Sequence, residues 1–190
     1  MRLFIAVNFS EEIKRRIKTV QEQIRKETEG GKFSLPENLH LTLVFLGETP
    51  EERLTAVKDA MIEALSIDGK PVPSFEIAFS NADFFKRGGK ELWWLGPETK
   101  ENNDSLTSLK ELQNHLVVEL QKRNFIIDSK PFTAHITLGR EIRGSLWPFK
   151  TETIIIPVTR LSLMLSRHMP TSGKRNTLVY TELAGFDFFN

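Results

Sequence analysis

The chain predicts one compact bilobal α+β domain over residues 1–190, and three observations carry that expectation. Short apolar or alternating runs of strand character exchange with segments whose apolar residues recur at helical spacing, and no linker or low-complexity tract divides them. The order strand, helix, strand occurs twice, in approximate half-repeats at 1–80 and 91–165. Each repeat arrives at a tetrapeptide of the same form, His40-Leu41-Thr42-Leu43 and His135-Ile136-Thr137-Leu138.

The elements follow in order. Leu3 to Val7 is an unbroken apolar run and reads as a buried strand within Arg2 to Asn8. Ser10 is a good N-cap, with Glu11 and Glu12 in the first turn, where the helix dipole favours acids. Ile13, Ile17, Val20 and Ile24 then form one apolar stripe on a helix running to about Glu29, closed by Gly30-Gly31. The first motif lies in a strand from Leu39 to Leu46. Thr49-Pro50-Glu51-Glu52 reads as a capping box with proline at the first helical position, leading to a helix with Leu54, Val57, Met61 and Leu65 on its core side. Val72 to Ser80 alternates as a strand, with a second short strand at Ala82 to Phe85 and a hairpin turn at Lys86-Arg87-Gly88-Gly89-Lys90. Glu91 to Gly96 is a strand. Asp104 or Ser105 caps a third helix carrying Leu106, Leu109, Leu112, Leu116 and Leu120. The second motif occupies a strand from Phe132 to Leu138. A loop or short helix is expected around Leu146-Trp147, then strands at Thr153 to Ile156, Thr159 to Ser166 and Thr177 to Leu183.

Composition bounds the function. With 26 basic and 25 acidic residues the net charge is +1, so bulk charge does not mark a nucleic-acid binder, although a local basic surface remains open. The absence of cysteine excludes disulfides, thiolate chemistry and cysteine-ligated zinc. No apolar run approaches the roughly 18 residues of a membrane span, and the N-terminal run is too short for a secretory segment. A cytoplasmic protein with no membrane partner, a monomer, is the expectation.

The motifs carry the chemistry. In a strand, residues i and i+2 project from the same face, so each motif sets an imidazole beside a hydroxyl while Leu41 and Ile136 turn into the core. An imidazole titrates near about 6.5, so two can share a site at neutral pH, one to take a proton from water and one to give a proton to a departing oxygen. That division suits in-line attack on a phosphodiester, with the threonine hydroxyls donating to the non-bridging oxygens. The scheme needs no metal and no cofactor. A single His-x-Thr on a strand is commonly inert, whereas two in repeated context point to a half-site on each side of a cleft. A zinc site on His40 and His135 lacks further histidine or cysteine ligands at a suitable spacing. His115 falls inside the third helix, where a surface or packing role is expected. His168 lies in a polar stretch, Ser166 to Arg175, which either rims the cleft or is a solvated hairpin connection.

At these residues the sequence resembles the two-histidine (2H) phosphoesterases, and within them the bacterial and archaeal RNA 2',3'-cyclic phosphodiesterases, once described as 2'-5' RNA ligases. Pro36 to Gly47 is similar to the family's first signature and Phe132 to Arg140 to its second, and the likeness extends from Met1-Arg2-Leu3-Phe4 to the strand with Tyr180. The resemblance implies two antiparallel sheets flanked by helices around a central groove. It also implies hydrolysis of RNA or nucleoside 2',3'-cyclic phosphates to 2'-phosphomonoesters without metal. The substrates so implied are RNA ends, tRNA fragments among them, or cyclic nucleotides. His40 is then the proton donor, His135 the proton acceptor, and Thr42 and Thr137 bind the phosphate. Arg140 matches an arginine after the second motif and is a weaker phosphate-binding candidate, because strict alternation turns it away from His135 unless Gly139 bends the strand. The family's proline before the second histidine is Ala134 here, which removes a local rigidity and no catalytic group. The competing readings are a phosphodiesterase for 2'-5' oligonucleotides or a cyclic ADP-ribose phosphate and, from another class, a non-catalytic RNA- or nucleotide-binding module.

Overall fold

The structure, a computed structural model, describes residues 1–67, 69–98, 104–144, 146–171 and 174–188, without the side chains of 87, 171 and 174–176. The chain begins with strand β1 (Arg2–Asn8) and helix α1 (Glu11–Glu27). Two short strands follow, β2 (Thr28–Glu29) and β3 (Lys32–Phe33), then the first motif strand β4 (His40–Glu48). Helix α2 (Leu54–Ala64) leads to a small hairpin, β5 (Ser66–Ile67) and β6 (Lys70–Pro71). Next come β7 (Phe75–Arg87), β8 (Lys90–Pro97) and helix α3 (Asp104–Lys122). The second motif strand β9 (Ile136–Gly144), β10 (Phe149–Val158), β11 (Arg160–Thr171) and β12 (Lys174–Asp187) complete the chain.

The strands build two main antiparallel sheets, so the fold is α+β, as the sequence predicts. The first has the order β12-β11-β1-β4, and the second β10-β7-β8-β9-β2, with β3 also on β9. In each sheet a motif strand lies beside the strand that precedes the helix: β4 pairs with β1, and β9 pairs with β8. One hydrophobic cluster takes in residues of both sheets and of all three helices, among them Ile5, Ile17, Leu41, Met61, Phe79, Leu95, Leu112, Ile136 and Leu163. Phe4, Ala6 and Met164, on the other face of the first sheet, form a separate small cluster with Tyr180 against it.

Helix α1 begins as expected: the Ser10 hydroxyl accepts from the Ile13 amide at 3.3 Å, and Ile13, Ile17, Val20 and Ile24 are buried. It ends two residues earlier than expected. The capping box at Thr49 does not form. Thr49 is buried, its amide donates to the Met1 carbonyl and its carbonyl accepts from the Met1 amino group, so the residue ties down the N-terminus. Pro50 precedes a 3₁₀ turn at Glu51–Arg53, from which α2 continues. The two strands expected at 72–85 are one long strand, β7, because β8 and β10 flank it and the hydrogen bonding continues across Asn81. No helix forms at Leu146-Trp147; β9 runs on to Gly144, and β10 starts at Phe149, before the expected Thr153. His168 lies within β11, paired across the sheet with Leu178, so its surroundings are a hairpin arm rather than a loop. Among the described residues no helix is long and apolar enough to cross a membrane.

Candidate active site

His40 opens β4, and its imidazole is fixed at both nitrogens. Nδ1–H donates to the Asn38 carbonyl at 2.8 Å, and Nε2 lies 2.8 Å from the Thr42 hydroxyl. The i, i+2 geometry of the strand makes the second contact, while Leu41 and Leu43 are buried on the other face. Phe4 and Tyr180 flank the ring, with centroids at 4.8 Å and 5.1 Å, and Tyr180 meets it edge-on.

His135 shows the same local device. Its Nδ1–H donates to the Thr133 carbonyl at 2.8 Å, again two residues upstream. The bond sets the tautomer, so Nε2 carries the lone pair in the neutral ring. His135 stands one residue before β9 rather than inside it, because Leu95↔Ile136 is the last pairing between β8 and β9. Ile136 and Leu138 are buried and Thr137 is half-buried. Phe85 packs perpendicular to the His135 ring at 6.0 Å and stacks on Trp94 at 5.2 Å.

Arg140 corrects the strict-alternation expectation. Trp94 pairs with Thr137 but Trp93 with Gly139, so β9 carries an extra residue at Leu138. A second irregularity follows at Glu141, whose φ is 56°. Gly139 lies at the bulge, where a Cβ would meet the tip of the Ile142 side chain at 2.8 Å. Arg140 is consequently exposed between buried Leu138 and Ile142, and its charge reaches both His40 and Tyr180.

The electrostatics couple the two halves. The His40 imidazole is held down to about 4. Burial is the main cause, opposed by the bond to the Asn38 carbonyl, and the electrostatic influence of His135 and Arg140 acts in the same direction as burial. Burial raises the Tyr180 hydroxyl, with Arg140 and Arg2 pulling the other way. At pH 7 His40 is therefore neutral before substrate binds, its Nε2 accepting from Thr42.

Comparison with known proteins decides the family. A family model described as LigT like Phosphoesterase matches residues 7–93, which include the first motif. An RNA 2',3'-cyclic phosphodiesterase of Thermotoga maritima is 34% identical, over 97% of this chain and 97% of that protein. The chain belongs to the LigT-like phosphoesterases of the 2H superfamily. An RNA 2',3'-cyclic phosphodiesterase of Archaeoglobus fulgidus is 35% identical over 74% of this chain and 72% of its own length. Among solved structures, E. coli LigT complexed with 3'-AMP superposes with a TM-score of 0.77 at 25% identity, covering 100% of this chain and 98% of that one. TT0787 of Thermus thermophilus gives 0.73 at 29% identity, covering 98% and 97%.

In this phosphoesterase the four motif residues and Arg140 fall into two groups, one on each sheet, linked by the charge coupling just described. His115 lies on α3, half-buried, and His168 is exposed on β11. Sequence reasoning missed the aromatic clasps, Phe4 with Tyr180 and Phe85 with Trp94. It also missed Gln21 of α1, whose amide donates to the Ser34 carbonyl at 2.9 Å and the Leu138 carbonyl at 2.8 Å. A signal for Gln21 existed: it stands four residues after Ile17 and three before Ile24, on the apolar stripe, where a polar side chain needs a buried partner. Among the described residues no three His, Asp or Glu side chains converge as metal ligands.

Proposed function

We propose that this protein hydrolyses the 2',3'-cyclic phosphate of RNA ends or nucleosides to a 2'-phosphomonoester, with His40 as general acid and His135 as general base. The observation that carries the reading is the pair of His-x-Thr sites built alike on two sheets, each imidazole held at Nδ1 by the carbonyl two residues upstream. The shared description of the relatives as RNA 2',3'-cyclic phosphodiesterases supports the substrate class.

Water gives its proton to His135 Nε2 as its oxygen bonds to phosphorus. The bond from phosphorus to the 3' oxygen breaks on the opposite side, and that oxygen takes the proton from His40 Nε2. The hydroxyls of Thr42 and Thr137, with Arg140, donate to the non-bridging oxygens, whose charge grows in the transition state. His40 starts neutral before substrate binds. A bound phosphate anion, set against the positive charge of Arg140, favours the His40 imidazolium that the acid step requires.

The test is incubation with a 2',3'-cyclic mononucleotide and with a short RNA of the same terminus, in EDTA, with products identified by phosphorus NMR. The expected product is the 2'-phosphate, and His40→Ala and His135→Ala each lower kcat by about 10²–10⁴. A 3'-phosphate would reverse which oxygen departs, and the placement of acid and base with it. Bound RNA without turnover would overturn the enzyme reading in favour of a binding module.

A further inference from the structure

We infer that the cavity beside His135 is a subsite for the nucleotide upstream of the cyclic end, taking its base between aromatic walls; the inference rests on the function proposed above. The cavity measures about 530 Å³, within the range of built small-molecule sites. Its walls include Trp94, Phe132, Phe149, Asp83, Lys110 and Lys150. Lys110 lies in the second turn of α3, and Asp83 and Trp94 are paired neighbours on β7 and β8.

The cavity adjoins the segment that leads into His135. Thr133 and Ala134 form one wall, and the Thr133 carbonyl is the group that holds His135 Nδ1. Neither histidine and neither motif threonine lines it. A base joined to the reacting ribose has Phe85 available at His135, 44% exposed. RNA that ends in a 2',3'-cyclic phosphate continues only in the 5' direction, so the space beyond the terminal nucleoside falls to the preceding nucleotide.

The lining suits that occupant. Trp94, Phe132 and Phe149 offer apolar and aromatic surface to a base, as single-stranded nucleic-acid sites do. The Asp83 carboxylate accepts from the Phe84 amide at 2.6 Å and can accept from an amino or imino group of a base. Lys110 and Lys150 are exposed and, among the described residues, have no carboxylate partner, which leaves both for the phosphodiester between the two nucleotides. Trp147, 81% exposed, immediately precedes Pro148 of the wall and offers a stacking surface at the rim.

The test compares kcat/KM for three substrates: a 2',3'-cyclic mononucleotide, a dinucleotide ending in the same cyclic phosphate, and that dinucleotide with an abasic upstream residue. The dinucleotide is expected to exceed the mononucleotide by about tenfold or more, with the abasic form losing most of the gain. Lys110→Ala/Lys150→Ala is expected to lower dinucleotide turnover several-fold and leave the mononucleotide unchanged. Equal kcat/KM for the mononucleotide and the dinucleotide overturns the subsite while the proposed function stands. So does a double variant that slows both substrates alike. No turnover of any of the three overturns the function itself, and the subsite with it.

Discussion

Burial, reinforced by the neighbouring Arg140, holds His40 near 4 against an ordinary value of about 6.5, and this shift has a consequence for stability. The native site favours the neutral imidazole. Between pH 6.5 and pH 4 the unfolded chain takes up a proton that the folded chain refuses. Stability contributed by this group is thus present above the unfolded value and is lost as pH falls through the folded value. The separation of the two values corresponds to roughly 3 kcal/mol at the acid end of that window. His40→Gln removes the titration and keeps a polar side chain. Denaturant unfolding of both proteins at about pH 7.5 and about pH 4.5 is expected to show the parent losing more stability on acidification by most of that amount; parallel losses would contradict the buried neutral state. Nothing in the residue pattern around His40 discloses this. The motif is legible as His-x-Thr, but the depth of the imidazole is set by Phe4, one strand away, and by Tyr180, which arrives from β12.

At the scale of elements, the amphipathic helix and the motif strands were open to reading because their periodicities are strong and local. Strand alternation failed where a bulge intervened: the extra residue at Leu138 and the left-handed Glu141 re-aim Arg140, and bulges leave no period in the sequence. The same region explains why α1 matters to the site. Gln21 is 3% exposed and donates to carbonyls of Ser34 and Leu138, while Ser34 donates through its amide to Leu138 and through its hydroxyl to the Thr137 carbonyl. One glutamine therefore ties the segment leading to His40 to the strand of the second motif. Gln21→Leu keeps the volume and removes both donors. The Leu138 carbonyl keeps the Ser34 amide while the Ser34 carbonyl loses its Gln21 donor, and an acceptor left unpaired away from water costs about 1–3 kcal/mol. The expected result is a loss of stability of that order in urea unfolding, whereas Gln23→Leu, on the exposed side of α1, is expected to change it by less than about 0.5 kcal/mol. Equal effects of the two substitutions would remove the strut role.

For the molecule as a whole, the strand order was the least legible feature. The N-terminal strand lies inside its sheet, between the first motif strand and β11 from the far end of the chain, and apolar runs do not specify such long-range partners. The arrangement has a thermodynamic consequence. Ile5 and Leu163 of the first sheet, Phe79 and Leu95 of the second, and the buried stripes of α1, α2 and α3 belong to one hydrophobic cluster. Neither sheet keeps its buried face if the other leaves, since the helices that cover both are shared. The protein is therefore expected to unfold as one cooperative unit, with calorimetric and van't Hoff enthalpies equal within error. Trp93 is fully buried in the second sheet, and Trp93→Ala is expected to cost about 3–5 kcal/mol. That loss should lower the single transition without splitting it, and hydrogen exchange should show amides of β1 and β11 losing protection together with those of β7 and β8. A second transition in the variant, with the first sheet still protected, would mean that the two sheets fold independently around their separate motifs.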